Sequence, residues 1–202
     1  MNDRFFSLPE EKQQAIINAG FRVFAQNSYR KSPMGEIAAA AGISKALLFH
    51  YFQNKRELYL FLWHTCARMT AEQLARYDCY AAEDVFEMMR RGLRAKVQLM
   101  RRYPYMTAFS LKAFYEKDPA VCGAIQSDYR SRVDGQFDAV LARVSGDRFR
   151  PGLDVRQMYR QMCWACEGYL WEKLQGGELR PDEVEEDFER MMAFWETAYL
   201  EK

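Results

Sequence analysis

The residues able to do chemistry are few, and their arrangement points away from catalysis. Only His50 and His64 supply imidazole. The chain carries no Gly-x-Ser-x-Gly nucleophile elbow, no Gly-x-Gly-x-x-Gly turn, no P-loop and no His-Glu-x-x-His pair, so no enzyme is expected. Cys163-Trp164-Ala165-Cys166 has the spacing of a thiol pair but sits in a helical stretch. It lacks the strand-helix-strand setting of a redox site and the second Cys/His pair of a zinc site, so neither metal nor cofactor is expected. The other cysteines (Cys66, Cys79 and Cys122) are scattered, and the odd total suits reduced thiols in a cytoplasm. A different chemistry is offered by Ser44-Lys45-Ala46-Leu47. Small Ala46 permits close approach, Lys45 can reach a base edge or a phosphate, and Leu47 can meet a thymine methyl.

Charge agrees in direction. The net over all 202 residues is only +1, yet residues 1–56 carry eight Lys or Arg against four acids, which leaves the remainder at −3. A basic N-terminal quarter on a mildly acidic body is a weak pointer to a polyanion. Hydrophobic types make up 49% of the chain, enough for a real core, and no run approaches the ~18 apolar residues of a spanning helix. The opening residues, with acids and Pro9, do not read as a signal peptide, so a cytoplasmic protein with no membrane partner is expected.

The elements that must position these residues all read as helices. Good helix formers dominate, and alternation, β-branched runs and Asn-Gly or Asp-Gly hairpins are missing. Ser7 and Glu10 have capping-box spacing ahead of a first helix, in which Ile16, Ala19, Gly20, Val23 and Phe24 form one stripe. Ser32-Pro33 opens a very short helix that ends at Gly42, a residue suited to the left-handed position. Ser44 caps a second short helix, Lys45 to Tyr51. Two helices of about two turns joined by a tight turn have the spacing of a helix-turn-helix. Asn54 and Glu57 then cap a long helix, and further spans are expected near 83–101, 104–116, 119–144, 153–175 and 181–201. Leu48, Phe49 and Phe52 are assigned to the core, and Arg90, Arg91, Arg94, Lys96, Arg101 and Arg102 to a solvated basic face.

Residues 19–58 carry a resemblance. Ala19-Gly20-x-x-Val23-Phe24, Tyr29, Ser32-Pro33-x-x-Glu36-Ile37-Ala38-x-x-Ala41-Gly42-Ile43-Ser44-Lys45-Ala46-x-Leu48-Phe49-His50-Tyr51-Phe52-x-Asn54-Lys55-x-x-Leu58 resembles the DNA-binding domain of the tetracycline-repressor family of transcriptional regulators. Three positions depart from it: Phe49 stands where Tyr is common, Ser28 where Gly is usual, and Pro33 where a hydroxyl residue is usual. The resemblance implies an all-α protein of about nine helices. Residues 1–54 would form a three-helix DNA-binding domain, and 55–202 a larger helical effector-binding and dimerisation domain. It also implies that Ser32, Tyr51 and Lys55 hold phosphates while Ser44, Lys45, Ala46 and Leu47 face the groove. His50 is a candidate for either base or backbone.

The partners follow from the same resemblance: a palindromic double-stranded DNA operator, a second copy of the chain, and a small hydrophobic or amphipathic effector that releases a repressor. A constitutive DNA-binding regulator without an effector is the alternative. In the family the last two helices pair between protomers. Here Met158 and Met162, then Phe188, Met191, Met192, Trp195 and Tyr199, form apolar belts, which ordinary packing within the chain would also explain. A ligand cavity is implied as well. Tyr103, Met106, Phe109 and Phe114 suit a flexible apolar lining. Trp164, Glu167 and Trp171, at i, i+3 and i+7, would suit an organic cation; a surface Glu between core or interface tryptophans is the plainer reading.

Overall fold

The computed structural model describes residues 3–82, 84–141, 148–177 and 179–201, and the side chains of those residues other than 133–141. Among the described residues the chain forms ten α-helices and no strand. They are α1 (Asp3–Phe6), α2 (Glu10–Gln26), α3 (Met34–Ala40), α4 (Lys45–Tyr51), α5 (Lys55–Arg76), α6 (Val85–Arg102), α7 (Met106–Phe114), α8 (Cys122–Leu141), α9 (Val155–Gly176) and α10 (Pro181–Tyr199), with a 3-10 turn at Cys79–Ala81. The all-α class is as expected, and nine of the helices match the anticipated ones. The tenth, α1, is additional. No helix among the described residues is long and apolar enough to cross a membrane.

The local signals behave unevenly. Ser44 Oγ accepts from Leu47 N at 3.1 Å, as an N-cap should. Asn54 Oδ1 accepts from Glu57 N at 2.9 Å, while Glu57 Oε2 accepts from Gln53 N at 2.8 Å; Asn54 and Glu57 thus cap the start of α5 together. Ser7 and Ser32, by contrast, are not caps. Each hydroxyl turns back instead, donating to Arg4 O and Ser28 O respectively, both at 2.9 Å. Pro9 and Pro33 occupy the two N-cap positions with no side-chain bond. Short hydroxyl side chains compete between forward capping and such backward bonds, and sequence spacing alone does not decide which wins.

The chain divides into two compact units, Met1–Met69 with Tyr103–Arg130, and Thr70–Arg102 with Ser131–Lys202. The first is built on the α2 stripe: Ile16, Ala19, Val23 and Phe24 are all buried. A Cβ on Gly20 would lie 2.6 Å from Leu62 Cδ1, so the glycine lets α5 approach α2 closely. Aromatic rings fill the rest. Phe24 and Tyr59 meet edge to face at 4.7 Å, and Phe109 lies 5.1 Å from Tyr59 and 5.4 Å from Phe21. Lys112 ties α7 to α2 by donating to the Ala25 carbonyl.

The second unit has a different interior. Met88, Met158, Met162, Met192, Phe86 and Trp195 belong to one buried cluster, and Leu93, Val97, Met100, Val184 and Phe188 to another. Of the basic residues of α6, Arg94, Lys96, Arg101 and Arg102 are exposed as expected, whereas Arg90 and Arg91 are half-buried. Arg90 donates to both carboxylate oxygens of Glu196 at 2.8 Å and to Glu189 at 3.2 Å. Arg101 reaches Asp182 and Glu185, both at 2.8 Å, and Arg91 pairs with Glu87 one turn away. A ladder of ion pairs therefore joins α6 to α10.

Candidate nucleic-acid interface

The turn between α3 and α4 is set by backbone chemistry. Gly42 has φ +68° and nothing within 4 Å of a Cβ built on it, so the position needs glycine for its conformation rather than for space. Ile43 N then bonds back to Ala38 O at 3.0 Å, which satisfies a helix-end carbonyl and fixes where α4 begins.

Helix α4 buries one side only. Leu48 is inaccessible and the Tyr51 ring is buried, whereas Lys45, Ala46, Leu47, Phe49 and His50 are all exposed. Phe49 is thus not a core residue: its neighbour Leu48 already points inward, and one helical step turns Phe49 about 100° away. It shares a face with Lys45 one turn earlier, whose Nζ lies 6.0 Å from the ring centroid. The exposed surface combines a cation, a small residue, two apolar side chains and an imidazole. That is a composition able to meet base edges and methyl groups in a major groove.

Lys55 stands at the start of α5, held in place. Its Nζ donates to Arg30 O at 3.1 Å and lies 4.8 Å from the Tyr29 ring centroid. Tyr29 is fixed in turn from behind, because its amide donates to Glu116 Oε2 at 2.8 Å. The other oxygen of Glu116 accepts from the amides of Lys117 and Asp118 at 2.9 and 3.0 Å. Arg56 Nε donates to Ala120 O at 2.7 Å, and Arg30 faces Asp118 at 3.7 Å. Sequence reasoning missed this role of the 116–120 segment. Ser32 is fully buried, with its hydroxyl engaged by Ser28 O.

The residues suggested for effector binding fall in both units. Tyr103, Met106 and Phe109 lie in the core of the first, 4%, 5% and 0% exposed. Phe114 lines a cavity of about 550 Å³ in that unit, together with Glu116, Lys117, Tyr129 and Arg130. Trp164 is exposed on α9 of the second unit, while Glu167 and Trp171 are half-buried there. Of the residues suggested for dimerisation, Met158, Met162, Phe188, Met192 and Trp195 are buried within the chain, and Met191 and Tyr199 are half-buried. The large apolar side chains that α9 and α10 leave open are Trp164 and Phe194, 58% and 68% exposed. Burial raises the Cys163 thiol and pushes Cys166 up to about 12, while the Lys96 cation pulls both partly back down.

Comparison with known proteins gives this geometry a lineage. Residues 16–61 match the family of bacterial regulatory proteins, tetR family. The HTH-type transcriptional regulator RutR of Escherichia coli O157:H7 is 23% identical over 156 residues, 76% of this chain and 71% of that protein. The crystal structure of a TetR family transcriptional regulator from Chloroflexus aurantiacus superposes with a TM-score of 0.68 at 20% identity, covering 100% of this chain and 99% of the other. The TetR-like regulator LfrR from Mycobacterium smegmatis, solved in complex with proflavine, gives 0.62 at 20% identity over 91% of this chain and 96% of its own. The matched segment holds the α3–turn–α4 unit and its exposed face. Over residues 16–61 the chain is similar to the tetR family of bacterial regulatory proteins, and over its length it shares the fold of these solved regulators.

Proposed function

We propose that the protein is a homodimeric transcriptional repressor of the cytoplasm that binds a palindromic DNA operator and is released by a small hydrophobic or amphipathic effector. One observation carries the DNA reading: α4 turns Lys45, Ala46, Leu47, Phe49 and His50 outward beside a lysine already clamped on Tyr29. Residues 1–54 read the duplex and 55–202 hold the effector and the partner copy. Lys45, Ala46 and Leu47 meet base edges, with Ser44 capping their helix. Lys55 meets a phosphate, Ser32 and Tyr51 shape the backbone-facing side, and His50 borders both.

The dimer rests on exposed apolar surface. Trp164 and Phe194 are exposed on helices that bury Met158, Met162, Phe188 and Met192 within the chain, and large aromatics are enriched at protein interfaces. A two-fold arrangement would set the two copies of α4 about 34–36 Å apart, one turn of the duplex. The effector reading draws on the cavity beside Phe114 and on the solved complex of LfrR with proflavine. Glu116 lines that cavity and holds the Tyr29 amide, so an effector that displaces its carboxylate loosens the seat of Lys55. The alternative, a regulator with no effector, draws on the near-complete burial of Tyr103, Met106 and Phe109, which leaves their part of the core filled.

Selection of duplexes from a random pool by the purified protein tests the reading, with its mass in solution measured alongside. An inverted repeat bound by a dimer is expected; a monomer that enriches no sequence overturns it. Lys55→Ala should weaken all duplexes alike and flatten the salt dependence, while changes at Lys45 or Leu47 should alter which sequence is chosen. A thermal-shift screen of organic compounds separates the effector-responsive regulator from the constitutive one.

A further inference from the structure

Helix α1 lies outside the segment that matches the family, yet it is fastened to the reading helix. Phe5 is fully buried, with its ring 5.1 Å from both Phe52 and Phe61 and 6.3 Å from Tyr51, the last residue of α4. Gln13 donates to Leu8 O at 2.9 Å and to Phe6 O at 3.3 Å, which closes the connection to α2. A four-residue helix has no stability of its own. Its position here comes from the Phe5 anchor and these bonds.

What the anchor accomplishes is to place Arg4. Its Nη1 lies 2.8 Å from His50 Nε2. A guanidinium only donates, so the imidazole is the accepting partner of this contact. His50 in turn belongs to the exposed face of α4. Arg4 is therefore an exposed cation held at the C-terminal end of the reading helix. In a helix-turn-helix the bases are met by the N-terminal residues of that helix. A cation at the opposite end stands beside the sugar-phosphate backbone, and the planar fork of arginine matches two phosphate oxygens.

We infer that α1 is a second DNA-contacting element, which sets Arg4 on a backbone phosphate flanking the bases met by α4, with His50 as its positioning residue. The inference rests on the DNA-binding reading and adds to it a contact that precedes residue 16. Arg4 is sequence-blind in this role: it adds affinity and register but no base preference.

The test uses the full chain and the duplex it selects, with affinity followed by fluorescence anisotropy as NaCl rises from about 50 to about 200 mM. Arg4 is exposed, so R4A should unfold at the same temperature as the native chain. R4A is expected to weaken the selected and a random duplex by the same factor. It should also flatten the slope of log K against log salt by roughly 0.9 per protomer, the value for one lost phosphate contact. R4K restores the charge and should recover most of that slope. Native affinity and slope in R4A, where the unmutated chain binds well, overturn the inference alone. So does a changed base preference, which would make Arg4 a base reader. A native chain that binds no duplex takes down the DNA-binding reading itself.

Discussion

The two units solve the same packing problem with different side chains. The first centres on interlocked rings: Phe24 touches Tyr59 and Phe109, which touch each other, and Phe5 joins Phe52 and Phe61. Rings have few rotamers and directional edge-to-face contacts, so such a core holds α4 and Lys55 at fixed positions. The second combines methionines, which adapt their shape, with charged pairs between α6 and α10. A unit that presents side chains to a rigid duplex needs fixed geometry. A unit that packs through methionine tolerates repacking more readily.

Replacement of a ring in the first unit should have the largest effect. Phe24→Ala should cost about 3–5 kcal/mol, as large-to-small changes at buried rings do. The sharper comparison uses one replacement in both cores. Phe24→Leu forfeits contacts with two rings, worth roughly 1–3 kcal/mol together. Met192→Leu conserves volume in a tolerant core and should cost less than about 1.5 kcal/mol. Equal losses in chemical denaturation for the two leucine variants would break the contrast.

Arg90 tests the other half of it. The side chain is 22% exposed and grips Glu196 with two parallel bonds, so Arg90→Ala should cost roughly 1–3 kcal/mol. Part of that is loss of the aliphatic stem, which Arg90→Met would retain. If Met recovers the whole loss, packing rather than the ion pairs joins α6 to α10, and the two units differ less than their side chains suggest. Raising the salt concentration should shrink the remaining gap between Arg90→Met and the native chain.

Most of the fold was legible because helix formers, caps and breaks coincide, and Gly42, Ser44 and Asn54 do what their types suggest. What escaped has physical reasons. Helix α1 is too short to show a period, so only its docking through Phe5 reveals it. The apolar stripes of α9 and α10 mark Met162, Met192 and Trp195 as buried, but a period does not say against which chain. The partners of Arg90 lie about a hundred residues along the sequence, beyond any local pattern. The same holds for Glu116 and the Tyr29 amide, 87 positions apart, so the back of the Lys55 clamp was invisible where its front was plain.

The smallest effect concerns Asp187, an acid of the second unit that caps no helix. Its carboxylate accepts from the Tyr169 hydroxyl at 2.5 Å, lies 3.2 Å from Lys173 Nζ and pairs with Arg190. The Tyr169 bond chiefly, then Lys173 and Arg190, hold it below the ordinary value of 3.8 against some desolvation. A carboxyl whose folded-state value is lowered binds its proton more readily when the chain unfolds. Its contribution is therefore complete above the ordinary value and is lost as the pH falls through the lowered one. Asp187→Asn should thus melt slightly below the native chain at pH 7, and the difference should close as the pH drops below 3.8. A gap that stays constant down to acid would assign the cost to shape and hydrogen-bond geometry. The second unit would then owe less to charge, and the Arg90 ladder alone would carry its electrostatic character.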